Sequence, residues 1–70
     1  MMYALIGPSG KIHEKTVGWD RHECEGNAFS YMANRLGRNW SDRFWKNWNG
    51  AQADLRRRGY TIRKVKMVLA

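Results

Sequence analysis

The strongest constraint on this chain is its punctuation. Gly7-Pro8-Ser9-Gly10, Asp20, Gly37 and Gly59 are residues that turn or terminate backbone, and they cut the chain into short segments. Pro8 presets φ at the first central position of a turn, and Gly10 tolerates the positive φ of its exit. Met2–Gly7 is apolar, and Ile12, Thr16 and Val17 beyond the turn favour extended backbone, so an N-terminal β-hairpin is expected.

Asp20 reads as a helix N-cap. Glu23 completes a capping-box pair with it, and Trp19 and Cys24 take the hydrophobic-staple positions. Cys24, Ala28, Phe29, Met32 and Leu36 then share one side of a helix that Gly37 ends. A second helix is expected from an N-cap at Ser41, with Trp40 and Trp45 as its staple and Phe44, Trp48, Ala51 and Leu55 as its apolar stripe. Arg56, Arg57 and Arg58 fill its last turn, where the helix dipole favours cations, and Gly59 stops it. Gly50 is its interior flaw, a candidate kink or split. Tyr60–Leu69 reads as a final strand. Tyr60 and Ile62 share one face while Val65, Met67 and Leu69 share the other, so a bulge near Arg63-Lys64 is expected. The sum is one basic α+β domain over residues 1–70, in β-β-α-α-β order, with two helices packed on one face of a small antiparallel sheet.

Composition narrows what such a domain does. Hydrophobic residues are 43% and aromatics 13%, too rich for a disordered basic tail. Seventy residues are too few to enclose a cofactor-sized cavity beside a separate core, so no cofactor is expected. The single Cys24 excludes an internal disulfide and a multi-cysteine zinc site, and a free thiol suits a reducing compartment. The longest apolar run, Met1–Ile6, is far short of a membrane span. A cytoplasmic protein with no membrane partner is the expectation.

The motifs that would carry catalysis fail on spacing. Pro8-Ser9-Gly10-Lys11 lacks the phosphate-loop Gly five positions before Gly10, where Leu5 stands, and Ile12 replaces the Ser or Thr after the Lys. His22 and Cys24, with His13 upstream, are too few and diverge too widely on a helix start to hold a metal, and nothing activates Cys24 as a nucleophile. His13 and His22 read as ordinary surface histidines. Asp20, Glu23 and Glu25 cluster where the helix N-terminus already favours negative charge. No enzyme is expected.

Charge is the feature that points outward. The chain carries a net +7, but residues 1–34 hold three cations against four acids, net −1, and residues 35–70 hold ten against two, net +8. Arg43 and Lys46 lie opposite the apolar stripe of the second helix, and Arg56, Arg57, Arg58, Arg63, Lys64 and Lys66 follow in a stretch without an acid. Such a patch attracts phosphates and releases counterions on binding. Of the four tryptophans, Trp19, Trp40 and Trp48 are expected to be structural. Trp45 stands beside the stripe, with Asn49, Gln52 and Arg56. It either packs at the core edge, or stacks on a base or anchors an interface.

Tyr3-Ala4-Leu5-Ile6 with Pro8-Ser9-Gly10-Lys11, and the closing Gly59-Tyr60-Thr61-Ile62-Arg63-Lys64-Val65, give a layout that resembles small early or accessory proteins of bacteriophages. The resemblance implies a protein that binds host machinery in a bacterial cytoplasm, as phage inhibitors of transcription or of CRISPR complexes do. Those inhibitors are frequently acidic, and this chain departs from that pattern. Two expectations follow. One is a nucleic-acid-binding protein using Arg43, Lys46, Arg56, Arg57, Arg58, Arg63, Lys64 and Lys66 on phosphates and Trp45 for stacking. The alternative is an inhibitor docked on a host protein or nucleoprotein complex through Trp45 and Arg56. The final strand, apolar on both faces, would also suit a homodimer.

Overall fold

The computed structural model of the chain describes residues 2–66. Three strands, β1 (Met2–Ile6), β2 (Ile12–Gly18) and β3 (Thr61–Val65), form one antiparallel sheet in the order β2-β1-β3. Three helices lie between β2 and β3: α1 (Arg21–Leu36), α2 (Arg38–Phe44) and α3 (Trp48–Arg57). The α+β architecture is the expected one, with a third helix added.

The hairpin closes through Gly7, whose N–H donates to Lys11 C=O at 2.9 Å, and Gly10 takes φ +84°. Its two strands do not pair evenly. Tyr3 opposes Gly18 and Leu5 opposes His13, so the single residue Ala4 faces the four residues 14–17 of β2. Thr16, fully buried, fills this irregularity: its Oγ1 accepts Leu5 N–H at 2.9 Å and donates to His13 C=O at 2.6 Å. The other side of β1 is regular. Pairing with β3 runs without interruption from Met2↔Val65 to Ile6↔Thr61, so no bulge occurs at Arg63-Lys64. Val65 simply sits beside Met2 on the face opposite Leu5 and Ile62; Met67 and Leu69 lie outside the described residues.

Helix α1 begins as expected. Asp20 Oδ1 accepts Glu23 N–H at 2.8 Å, and Glu23 Oε1 reaches back to Trp19 N–H at 3.2 Å. The staple does not form, because Trp19 is 69% exposed. Cys24 instead packs on Gly18, where a Cβ would stand 2.5 Å from Cys24 N, so only glycine admits the helix this close to the strand. Gly37 ends α1 at φ +97°.

The expected second helix is two helices. Helix α2 starts directly after Gly37, which places Ser41 inside it rather than at its cap. The split falls at residues 45–47, not at Gly50. Lys46 adopts φ +60°, and Asn47 caps α3 by accepting Gly50 N–H on its side-chain oxygen at 3.1 Å. Gly50 serves this cap, since a Cβ there would meet Asn47 Nδ2 at 2.6 Å. The break frees α2 to turn Trp40 inward. Leu5, Ala28, Met32, Trp40, Ala51 and Leu55 form the core, with Phe44, Trp48, Tyr60 and Ile62 packed around it. Trp40 Nε1 donates to Asp54 Oδ2 at 2.8 Å, which ties α2 to α3. Trp40 is therefore a core residue, not one half of a staple with Trp45.

Candidate functional site

The α2–α3 break exposes what the core does not need. Trp45, at the end of α2, is 64% exposed, and it walls a groove of about 550 Å³ between α1 and the break. Phe29, Phe44 and Trp48 supply the remaining aromatic walls, Gly26 contributes a stretch without side chain, and Lys46 stands on the rim. The aromatic faces are tilted against one another, Phe29 to Trp45 at 6.2 Å and 52° between centroids and planes. Trp48 is held in place by its Nε1, which donates to Glu25 Oε2 at 2.6 Å. Arg21 Nε lies 3.8 Å from the same carboxylate oxygen.

On its other side Trp48 borders a second, smaller cleft of about 230 Å³ against β3. Arg21, Arg56 and Arg63 line this cleft together with Gln52 and Tyr60. One tryptophan thus separates an aromatic groove from a basic cleft.

The eight expected cations are all exposed, yet they do not form one patch. Lys46 lines the aromatic groove beside Trp45, while Arg43 lies outside its lining with Cζ 5.4 Å from the Phe44 ring centroid. Arg56 and Arg63 meet at the basic cleft. Arg57 ends α3, and Lys64 and Lys66 follow along and beyond β3. Arg58 is already engaged: its Nε donates to Asp54 Oδ2 at 2.7 Å. That bond, with the one from Trp40, holds the Asp54 carboxyl below the usual carboxylate range. Such an Arg is less available to a phosphate than its neighbours.

Sequence reasoning missed Arg21, Phe29 and Glu25. The signal was present as a spacing, since residues 21, 25 and 29 share one face of α1, but only the packing of α3 shows which groups meet them. His13 is also not an ordinary surface residue. Its ring is half-buried 5.2 Å from Tyr31 and 5.7 Å from Tyr60, and Tyr31 OH stands 3.3 Å from Nδ1. Burial first, then the charges of Arg35 and Lys11, lower its pKa.

Burial pushes the Cys24 thiol up to about 11, which leaves it without thiolate character near neutrality. Among the described residues no cluster of three or more His, Cys, Asp or Glu could hold a metal ion, and no helix is long and apolar enough to cross a membrane. Compared with protein-family models, curated proteins and solved structures, the chain matches none.

Proposed function

We propose that this protein is a non-catalytic nucleic-acid-binding module that takes single strands across the face bearing Trp45. The observation that carries the reading is the pairing of an exposed tryptophan with a rim cation on one aromatic groove. A base presents a flat face to Trp45 and Phe44, while its flanking phosphates fall to Lys46 and Arg43 beside the groove and, beyond Trp48, to Arg56 at the basic cleft, with Arg57 adding to the field at the end of α3. Stacking of this kind tolerates every base, so the reading implies affinity for unpaired strands rather than for one sequence. Arg63, Lys64 and Lys66 extend the positive field that draws the strand in, and Arg58 contributes least because Asp54 occupies it.

The test is a tryptophan-fluorescence titration with oligothymidine and oligouridine. Binding quenches the signal at about 50 mM salt and weakens steeply toward about 200 mM. Trp45→Ala lowers affinity by about tenfold to a hundredfold, the range expected for one stacked base. No binding of either strand at low salt would falsify the reading. The second reading, a phage-type inhibitor docked on a host protein or nucleoprotein complex, uses Trp45 and Arg56 as anchors on either side of Trp48. It gains if a bacterial protein is retained after nuclease treatment and Trp45→Ala releases it.

A further inference from the structure

The two edges of the sheet are built differently. β2 is interrupted at residues 14–17 by the Thr16 irregularity, a device that blunts an edge against further pairing. β3 is straight, five consecutive residues in register with β1, and among the described residues nothing pairs with its outer side.

The free backbone groups of β3 can be assigned. Leu5 N–H donates toward β2, to Thr16 Oγ1, so the peptide groups of Leu5 face away from β3. Leu5↔Ile62 is then a pair without mutual hydrogen bonds, and so is Tyr3↔Lys64 two residues on. Ile62 and Lys64 therefore turn their N–H and C=O outward. Together they offer two donors and two acceptors on an open edge.

Charge decides what can use them. Residues 61–66 hold Arg63, Lys64 and Lys66 and no acid, and Arg56 and Arg21 line the cleft alongside. A second copy is disfavoured in the registers centred on Arg63 or Lys64, where antiparallel pairing sets like charges opposite each other, and the register centred on Ile62 leaves every cation of the strand without an acidic partner. For a strand bearing carboxylates the same cations become cross-strand partners.

We propose that the β3 edge is a docking site for an extended acidic segment of a partner protein, which adds as a further strand beside Ile62 and Lys64. The site shares Arg56, Arg63, Lys64 and Lys66 with the proposed oligonucleotide path but not the aromatic groove; Trp45 takes no part in it, and it stands if the oligonucleotide titration fails.

The test is an NMR titration of the isotope-labelled full chain with acetyl-Val-Glu-Val-Glu-Val-Glu-amide. The Ile62 and Lys64 amides shift most, while the Val-Lys counterpart leaves them in place. Lys64→Pro removes both an outward N–H and the ammonium without touching the β1 ladder and lowers affinity about tenfold, so its excess over Lys64→Ala reads the hydrogen bond. Lys64→Ala removes the charged side chain but keeps the N–H, and lowers it about threefold. A peptide N-methylated at the residues facing Ile62 and Lys64 keeps its carboxylates and loses its binding, a result that needs no protein variant to fold. Four outcomes overturn the proposal. These are unmoved amides with the acidic peptide, undiminished binding of the methylated peptide, shifts produced by oligothymidine alone, and a dimer of the free protein that Lys64→Pro dissociates.

Discussion

The hairpin with α1, residues 2–36, and the α2–α3–β3 segment, residues 38–66, handle most of their polar groups differently. In the first, polar side chains turn toward the protein's own backbone. Thr16 bridges Leu5 and His13, Asp20 and Glu23 cap α1, and Asn27 Nδ2 donates to Val17 C=O at 3.0 Å. In the second, apart from the Asn47 cap, one acid, Asp54, binds Trp40 and Arg58, and the other cations find no acid within ion-pair distance among the described residues. The difference teaches where to look for partners. A region whose polar groups are satisfied internally holds itself together, and one that leaves aromatic, cationic and backbone groups open is equipped to hold something else.

The largest test of this contrast sets two tryptophans five residues apart, one inside α2 and one just past its end, against each other. Trp40→Ala removes a 7% exposed core ring and its bond to Asp54, and costs about 3–5 kcal/mol in denaturant unfolding. Trp45→Ala, at a 64% exposed ring, shifts stability by only about 0.5 kcal/mol while lowering oligonucleotide affinity. Equal losses of stability would erase the distinction between a structural and a presented tryptophan.

Thr16→Val is the next in size. It keeps the volume and leaves Leu5 N–H buried without an acceptor, which costs about 1–3 kcal/mol by thermal or chemical unfolding. Thr16→Ser restores the acceptor and recovers most of that loss. A fully stable Thr16→Val variant would mean that the irregularity in β2 does not depend on this bond.

The smallest effect is a pH dependence in the hairpin. Because the folded state lowers the His13 pKa, the unfolded chain binds the proton more readily. The contribution of neutral His13 is complete above its ordinary value near 6.5 and declines as pH falls below it, toward the lowered folded value. Thermal unfolding between about pH 7 and pH 5 is expected to show this decline, and His13→Gln to flatten it. An unchanged slope in the variant would assign the dependence elsewhere.

Much of the backbone plan was legible before any packing was known. The Gly7–Gly10 turn, the Asp20–Glu23 cap and the stops at Gly37 and Gly59 are interactions between residues a few positions apart, and each stands where it was expected. The Phe44/Trp48/Ala51/Leu55 stripe also faces the core, because its spacing survives the change of helix at Lys46. The Ser41 cap was misread because Gly37 ends one helix and starts the next, so α2 begins before any preferred capping residue. Asn47, the residue that does cap α3, was hidden inside a stripe that looked continuous.

The candidate site was legible only in its parts. The sequence points to eight cations and Trp45, but Arg58 belongs to Asp54, and Arg21 joins Arg56 and Arg63 from the less basic half of the chain. Charge counts cannot show such pairings, since they depend on which helix lies against which strand.

What the sequence by itself determined is the α+β layout, hairpin first, helices next and a strand last, though one helix short, and the uneven charge, −1 over residues 1–34 and +8 over residues 35–70. Capping, turn formation and net charge are local or additive, so they need no tertiary information. Only the tertiary structure decided that Trp40 is buried while Trp45 is presented, and that β2 is blunted while β3 is open. Burial and strand pairing are set by neighbours distant in sequence, and no local pattern carries that choice.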